Sequence, residues 1–272
     1  MKSAVLIILN IFFTSYSFCQ YAEEPLSSGN DSLYFVHIKT DTLFNSTQNI
    51  NLIKLDKAYL SVFNIDFAYQ ASELLKTSQI AVNRNARAAI NGGFFDMNTG
   101  GSVTYFEIGD SVISRTRPAE LKWAVPDSLA NGALILNKNH NLEIESANRE
   151  QYYAESTKEI FVMICGPLLI NDSLAQKLPD MKFADVRNPR TCVGITGESI
   201  IFITIDGRSE QAEGMNLTEV QEFLLELGCV DAINLDGGGS TSMWIKEKGL
   251  VNIPSDKTGE RPVANALLIL KK

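Results

Sequence analysis

The chain has 272 residues, of which 45% are hydrophobic and 21% are charged, as in an ordinary globular protein rather than a disordered one. It contains 24 basic and 32 acidic side chains, for a net charge of −8. This acidic balance argues against nucleic acid and against anionic membrane surfaces as main partners, because both would repel the protein.

The first 19 residues have the pattern of a secretory signal peptide. Lys2 supplies a positive charge, residues 4–13 are apolar, and Ser17 and Cys19 supply the small residues that precede a cleavage site. The apolar run is too short to cross a bilayer, which takes roughly 20 residues. We therefore predict an exported protein, periplasmic or extracellular, with no stable membrane insertion. A lipid anchor at Cys19 is the less favoured alternative, because a bulky residue precedes the cysteine.

The remaining chain is long enough for one large domain with a substantial core. Residues 20–31 are polar and contain Pro25 and Gly29, which predicts a flexible leader. The domain itself is expected over residues 32–272.

Strand patterns dominate this region. Apolar or alternating runs predict strands at 32–40, 58–66, 87–90, 160–164, 192–196, 199–205, 231–235, 241–245 and 263–270. Short helical patterns lie at 72–75 and 78–82. The clearest helix is 216–227, with Asn216 or Thr218 as its N-cap and Gly228 at its end. The fold class predicted is therefore α+β, with a mixed, largely antiparallel sheet.

Metal and cofactor chemistry finds little support in the sequence. His37 and His140 are the only histidines, too few for a histidine-based metal site or a Ser-His-Asp triad. A calcium ion near Asp206 or Asp236 stays open, although the spacing is not that of an EF-hand. We predict neither a cofactor nor a bound metal.

Three cysteines follow the signal segment, at Cys165, Cys192 and Cys229, and their spacing matches no zinc motif. One disulfide with one free thiol is possible outside the cytoplasm, and three buried thiols are an equally good interpretation of their apolar surroundings.

The strongest functional signal is the segment that begins at Asn234. Side chains two apart in a strand share a face, so Asn234 and Asp236 are expected to point the same way. Glycines let a ligand approach the backbone closely, and hydroxyls can bind it. The residues that follow the aspartate are Gly237, Gly238, Gly239, Ser240 and Thr241. A tight turn capped by Asp236 is the alternative interpretation. The pattern of a nucleotide-binding loop is absent, because no lysine follows the glycines and residues 241–245 continue as a predicted strand and not as a helix.

A second signal lies after the apolar run 201–205. Asp206 ends this predicted strand, and Arg208 and Glu210 follow in a loop. Paired carboxylates are the usual equipment for glycoside cleavage, so Asp206 and Glu210 are catalytic candidates. A surface loop with an ordinary Arg–Glu pair is an equally good interpretation.

Two further segments join polar residues to strand ends. Asn91, Gly92 and Gly93 end a short strand, and one of the aromatics that follow, Phe94 or Phe95, could stack on a sugar or pack in the core. Arg190 precedes a buried strand, where a guanidinium can bind a phosphate or carboxylate through two hydrogen bonds.

Taken together, these segments resemble the phosphodiester glycosidase family over about residues 87–270. The matching stretches are 91–95, 190–194, Asp206-Gly with Glu210-Gln211, 214–217, 232–240 and 254–256. The resemblance implies hydrolysis of a sugar-1-phosphodiester, which splits the sugar from a phosphate-bearing partner.

In that reaction Arg190, Arg208 and the glycine amides would hold the phosphate, while Asn91 and Asn234 would bind sugar hydroxyls. Asp206, Glu210 and Asp236 are the candidates for nucleophile, base or stabiliser of the oxocarbenium ion, and their individual roles stay open.

The expected partner is a sugar phosphate or glycan. The export signal and compact length are typical of bacteria, so a cell-wall or capsular sugar phosphate is the expected substrate. The alternatives are a non-catalytic binder of cell-surface glycan or sugar phosphate, and an inhibitor or adaptor domain. The sequence leaves the sugar, the aglycone and the oligomeric state open.

Overall fold

The architecture is built from antiparallel strands. The computed structural model describes residues 23–26, 33–70 and 72–272, and the predicted signal peptide at 1–19 lies outside them. In chain order its strands are β1 (Glu24–Pro25), β2 (Leu33–Thr40), β3 (Gln48–Asp56), β4 (Phe63–Tyr69), β5 (Leu75–Lys76), β6 (Ala88–Asn91), β7 (Phe106–Ile108), β8 (Ser111–Ser114), β9 (Gly132–Asn137), β10 (Leu142–Ser146), β11 (Glu159–Cys165), β12 (Leu168–Asn171), β13 (Leu174–Ala175), β14 (Arg190–Thr196), β15 (Ser199–Ile205), β16 (Cys229–Asn234), β17 (Met243–Ile245), β18 (Gly249–Leu250), β19 (Pro262–Val263) and β20 (Asn265–Lys271).

Four short α-helices accompany these strands in the described residues. They are α1 (Thr77–Asn83), α2 (Glu150–Ala154), α3 (Lys182–Asp185) and α4 (Leu217–Glu226). Single turns of 3-10 helix lie at Leu43–Asn45, Lys57–Tyr59 and Gly238–Ser240.

The strands form three main sheets and one two-stranded ribbon of β19 and β5. The large sheet has the order β1-β2-β3-β15-β14-β16-β12-β13, the second β10-β9-β11-β7-β8, and the third β18-β17-β6-β20-β4. Every pairing among the described residues is antiparallel. The predicted α+β class with a largely antiparallel sheet is therefore confirmed.

The inner faces of the three sheets share one hydrophobic core. Phe202 of β15, Phe161 of β11 and Leu267 of β20 belong to this core and are at most 1% exposed. Alternate residues of a strand point to opposite faces, so each sheet also needs cover on its outer side.

Each outer face is covered by a helix. Val220 and Phe223 of α4 share a cluster with Ile203 on the outer face of the large sheet. Ile80 of α1 packs on the outer face of the third sheet. Tyr153 of α2 packs on the outer face of the second sheet. Because both faces are covered, the central strand β15 is buried along its whole length.

The predicted helix at 216–227 is confirmed as α4, and its start follows the predicted capping pattern. The Asn216 side chain accepts a hydrogen bond from the Glu219 amide at 2.9 Å, and Glu219 accepts one from the Asn216 amide at 3.0 Å. These two bonds satisfy donors that the first helical turn leaves unpaired. Gly228, with φ 79°, ends the helix as predicted.

Two local predictions were wrong, and one strand was not predicted. The predicted strand at 58–66 begins only at Phe63, because Asp56 caps a 3-10 turn by accepting from the Ala58 amide at 2.9 Å. The helical pattern at 72–75 instead ends in β5, which pairs with β19. Strand β3 had no predicted counterpart, because Asn49 and Asn51 interrupt its apolar pattern.

Within the predicted leader, β1 pairs with β2 and Leu26 is 5% exposed. Cys165, Cys192 and Cys229 are free and buried, and burial raises the pKa of each thiol to about 12. Of the helices in the described residues, none combines the length and apolar character needed to span a bilayer.

Candidate active site

The site lies at one end of the large sheet, where three chain segments meet. Strand β14 is antiparallel to both of its neighbours, and Arg190 at its start pairs with Ile205 at the end of β15. Cys192 pairs with Asn234 at the end of β16. The loops that follow β15 and β16 therefore flank the start of β14, and they carry Arg208 and Asp236.

A pocket of about 240 Å³ opens at this end. The residues that line it are Phe183, Asn188, Arg190, Arg208, Asp236, Gly237, Gly238, Gly239 and Arg261. It thus brings together the predicted residues Arg190, Arg208, Asp236 and the three glycines. Among the residues that line it, Asp236 is the one with a carboxylate.

Asp236 is held firmly through its backbone while its side chain reaches the pocket. Its amide donates to the Gly92 carbonyl at 3.1 Å, and its carbonyl accepts from the Asn91 side chain at 2.7 Å. Burial raises the pKa of its carboxyl to about 6, and a hydrogen bond with the Ser240 side chain and the charge of Arg261 partly oppose that rise. This carboxyl therefore changes its charge close to neutral pH.

Arg190 is the most buried cation of the site, at 1% exposed. Its Nε donates to the Met215 carbonyl at 2.9 Å. Its Nη2 donates to the carbonyls of Phe183 and Val186, both at 2.8 Å. The guanidinium also lies 5.0 Å from the centre of the Phe183 ring. Burial lowers the pKa of Arg190 to about 10, so the group keeps its charge at neutral pH.

Arg208 is more open than Arg190. It is exposed, and its Nε donates to the Asn188 side chain at 3.1 Å. Its backbone has φ 63°, a left-handed conformation that non-glycine residues seldom adopt. Such strain is common at binding and catalytic sites. Both terminal nitrogens are without a hydrogen-bond partner among the described residues, so they can bind a ligand.

Arg261 completes the set of cations and was not predicted. Asp256 binds it through two hydrogen bonds, from Nε at 2.7 Å and from Nη2 at 3.0 Å. Its Nη1 donates to Ser240 at 3.3 Å, so Ser240 links Arg261 to Asp236. The neighbouring Glu260 ties this loop to the domain by accepting from the Ser242 hydroxyl at 2.8 Å.

The glycine run has a steric role at two positions. A Cβ atom on Gly239 would lie 2.0 Å from Arg261 Nη2, and one on Gly238 would lie 2.9 Å from Arg208 Nη2. Gly238 also has φ 61°. The absence of side chains therefore lets two guanidinium groups pack directly against the backbone beside Asp236.

Several predicted site residues are buried around the pocket instead of lining it. Asn234 is 0% exposed, and its Nδ2 donates to the Gly166 carbonyl at 2.9 Å. Strand β16 ends at Asn234, so strand alternation no longer fixes the direction of the Asp236 side chain. Asn91 is also 0% exposed, and its Oδ1 accepts from the Thr191 hydroxyl at 2.7 Å. Thr241 is 3% exposed.

The predicted Gly92 and Gly93 do not line the pocket, and Gly92 contacts Asp236 by accepting the hydrogen bond of its amide. Gly93 donates its amide to the Asn265 side chain at 2.6 Å, and a Cβ on Gly92 would lie 2.0 Å from Asn265 Oδ1. Phe94 and Phe95, the possible stacking residues, are 8% and 6% exposed and belong to two hydrophobic clusters. This segment thus holds the backbone of Asp236 without lining the pocket.

The two other candidate carboxylates lie outside the pocket wall. Asp206 is 1% exposed, and its Oδ2 accepts from Asn49 Nδ2 at 2.5 Å and from the Ile253 amide at 3.0 Å. Burial raises the pKa of Asp206 to about 6. Glu210 is exposed on the loop after β15.

The sequence held one signal for the missed Arg261. The stretch 254–259 contains proline, serine, glycine and Asp256, a composition typical of a loop, and an arginine follows two residues after it. An aspartate and an arginine at the two ends of a short loop can pair across it.

Among the described residues, no group of three or more His, Cys, Asp or Glu side chains could hold a metal ion.

Comparison with known proteins gives a consistent set of relatives. A family model described as phosphodiester glycosidase matches residues 84–270. Human N-acetylglucosamine-1-phosphodiester alpha-N-acetylglucosaminidase is 33% identical over 185 residues, which cover 63% of this chain and 34% of the human protein. The chain thus spans about a third of the length of that relative.

Solved structures share the fold at lower sequence identity. The catalytic domain of the zebrafish N-acetylglucosamine-1-phosphodiester alpha-N-acetylglucosaminidase, auto-inhibited by its pro-peptide, superposes with a TM-score of 0.68 at 20% identity, covering 93% of this chain and 87% of that one. A hypothetical protein from Synechocystis has a TM-score of 0.60 at 15% identity, covering 88% of this chain and 62% of that one.

Proposed function

Because the chain belongs to the phosphodiester glycosidase family, we propose that it hydrolyses a sugar-1-phosphodiester in the pocket beside Asp236. The observation that carries this proposal is the grouping of three arginines and one carboxylate around a single pocket. Guanidinium groups match the geometry of phosphate oxygens, and a carboxylate can serve the sugar that is being cleaved from them.

The arginines have different parts in holding the phosphate. Arg208 offers its terminal nitrogens, while Arg190 is fixed by three carbonyls and gives a rigid positive charge at the base of the pocket. Arg261 is oriented by Asp256. A cation that is already fixed in place loses little freedom when the substrate binds, so its attraction is available to the transition state.

The reaction requires one bond to break, between the anomeric carbon and a phosphate oxygen. The phosphate leaves with the electron pair and keeps a delocalised negative charge that the arginines stabilise. Such a leaving group needs no protonation, so a second carboxylate as general acid is unnecessary. Asp236, when ionised, takes the proton of the attacking water as the positive charge on the sugar develops.

Other predicted residues stabilise the segments that carry the pocket residues. Asp206 holds the loop that carries Arg261, through its bond to the Ile253 amide. Asn91 fixes the backbone of Asp236. Glu210 is exposed on the loop after β15 and lies outside the residues that line the pocket.

The substrate and the location of the enzyme belong to the same proposal. The curated relatives are named for N-acetylglucosamine-1-phosphodiesters, so this sugar is the first to test. The predicted signal peptide supports a reaction outside the cytoplasm, and we propose a cell-wall or capsular sugar phosphate as the substrate there.

The decisive experiment incubates the protein with a panel of sugar-1-phosphodiesters and measures released sugar. We expect release from at least one diester, and a loss of about 100-fold or more in Asp236→Asn, because a general base typically contributes that much. Glu222→Gln on the exposed side of α4 is the matched control and should keep full activity. No release from any diester, with ligand binding intact in Asp236→Asn, would instead identify a non-catalytic binder.

A further inference from the structure

A second cavity lies on the outer face of the second sheet. Its volume is about 480 Å³, against about 240 Å³ for the pocket beside Asp236, and the two share no lining residue. Cavities of this size can hold a small ligand. We call it the β9–β10 cleft, and the lining residues that matter here are Asn137, Glu143, Glu145, Tyr152, Lys158 and Glu159.

The pairing of the strands places three glutamates together in this cleft. Glu143 of β10 lies opposite Ile135 of β9, and Glu159 of β11 lies opposite Asn137 of β9. Residues two apart in a strand share a face, so Ile135 and Asn137 point the same way, as do Glu143 and Glu145. Ile135 belongs to the cluster that α2 covers, so all these side chains lie on the outer face beside that helix.

Each of the three carboxylates is oriented through one of its oxygens. Glu143 Oε1 accepts from Asn137 Nδ2 at 2.5 Å, and Glu145 Oε1 accepts from the Tyr153 hydroxyl at 2.8 Å. Glu159 is 8% exposed, and its Oε2 accepts from the preceding backbone amide at 3.0 Å. Among the described residues, the second oxygen of each has no hydrogen-bond partner, and none of the three forms an ion pair. The cleft thus presents fixed acceptors, one of them on a buried side chain, to the hydroxyl groups of a ligand.

An aromatic ring and a donor line the same cleft. Tyr152 is 57% exposed, and its ring meets the Tyr153 ring edge to face, with centroids 5.3 Å apart. Such a ring can stack on the apolar C–H face of a sugar. The ammonium group of Lys158 has no ion pair among the residues that the structure describes, so it can donate to a ligand oxygen. Together these groups match a sugar ring, which has an apolar face and an edge of hydroxyls.

The charges of the cleft disfavour other classes of ligand. The three carboxylates repel an anion such as a phosphate. Lys138 and Lys158 also line the cleft and repel a polycation. Within the described part of the chain, no group of His, Cys, Asp or Glu side chains could hold a metal ion. A neutral ligand rich in hydroxyl groups is therefore the class that fits.

The cleft also lies away from the proposed reaction. Strand β9 begins at Gly132, where an added Cβ atom would lie 2.8 Å from Ile233 Cδ1, next to the end of β16. From there the strand continues to Asn137 in the cleft, which is about 17 Å away at the rise of a β-strand. A ligand in the cleft is therefore separate from the group bound beside Asp236.

We propose that the β9–β10 cleft is a second carbohydrate site, which binds a neutral sugar unit of a glycan. The sugar stacks on Tyr152 and donates hydroxyl hydrogen bonds to the glutamates, with Glu159 as the most buried acceptor. This binding does not depend on the proposed function. When the substrate is a longer glycan, a unit held in the cleft raises the local concentration of its other units near the pocket.

The test titrates the protein with three neutral oligosaccharides, maltotetraose, cellotetraose and tetra-N-acetylchitotetraose, by isothermal calorimetry. We expect at least one of them to bind with a Kd of about 1 mM or below. Tyr152→Ala should weaken this binding about tenfold or more, because the stacking surface is lost. Tyr152→Phe keeps the ring and should stay within about twofold of the unaltered protein.

Three further variants separate the cleft from the rest of the molecule. Glu159→Gln should weaken binding about fivefold or more, because a charged acceptor is lost. The control Glu222→Gln removes the same charge from the exposed side of α4 and should leave the affinity unchanged. Asp236→Asn should also leave it unchanged, because Asp236 lies in the other pocket. Release of sugar from a small diester should be the same in Tyr152→Ala as in the unaltered protein.

Absence of binding by all three oligosaccharides would overturn the proposal, as would equal affinities of the unaltered protein and Tyr152→Ala. Loss of binding in Asp236→Asn would assign the sugar to the pocket instead. Spermine is titrated in parallel, and binding of spermine without any oligosaccharide would identify a cation site. The sugar-release assay tests the proposed function separately. Sugar release without binding in the cleft rejects this inference alone, and binding in the cleft without release rejects only the proposed enzyme.

Discussion

The pKa of Asp236 links the activity of the site to pH. Burial raises this pKa to about 6, and the proposed reaction requires the ionised carboxylate. We expect kcat/KM to be low at pH 5, to rise through about pH 6 and to level off above pH 7. A pH profile on the best diester measures this limb. A profile that stays flat from pH 4.5 to 7.5 would mean that Asp236 has no role in the proton transfer.

The same carboxyl should limit the stability of the fold. Its pKa is about 6 in the folded protein against 3.8 for the free side chain, so the folded state binds protons more tightly. Stability is therefore highest at low pH for this group, falls between about pH 4 and 6, and carries the full penalty above that range. Asp236→Asn removes the charge and should raise Tm at pH 7.5 by about 2 °C or more. The difference should vanish near pH 4, and a variant that melts lower at pH 7.5 would contradict it.

At the scale of elements, the turn Gly238–Ser240 and the loop that ends at Arg261 depend on each other. Gly239→Ala places a methyl group 2.0 Å from Arg261 Nη2 and 2.3 Å from Asp256 Oδ1, so the ion pair must move. We expect kcat/KM to fall about tenfold or more, mainly through KM, because the displaced guanidinium no longer meets the phosphate. Steady-state kinetics on the diester measure this effect.

The chain offers a matched control for that substitution. Gly197 lies in the turn between β14 and β15, and a Cβ atom added there would meet no other atom within 4 Å. Gly197→Ala should therefore leave kcat/KM unchanged. Similar losses in both variants would show that glycine replacement acts through general destabilisation and not through Arg261.

The end of the large sheet was predictable from the sequence because it depends on local patterns. Apolar runs located β14, β15 and β16, and polar residues at their ends located Arg190, Arg208 and Asp236. The burial of Asp206 was harder to foresee, because it depends on Asn49 from the unpredicted strand β3. Arg261 was not predicted for a similar reason, because its position follows from a pairing with Asp256 and from contact with Gly239, which is distant in the sequence.

At the scale of the whole molecule, a basic pocket lies in an acidic protein. The chain has a net charge of −8, so a distant anion is repelled while a phosphate inside the pocket is attracted. The screening length falls from about 30 Å at 0.01 M salt to about 10 Å at 0.1 M. Added salt therefore weakens the long-range repulsion first, and the contacts within the pocket change less.

Substrates of different length should respond to salt in opposite directions. For a diester with a small uncharged aglycone, the local attraction dominates, and KM should rise about twofold from 0.01 to 0.2 M salt. For a diester with a long anionic aglycone, most of the chain lies outside the pocket against the acidic surface, so KM should fall over the same range. Parallel titrations of the two diesters with sodium chloride measure both slopes. If KM rises for both, the acidic surface does not influence substrate choice, and the pocket alone determines it.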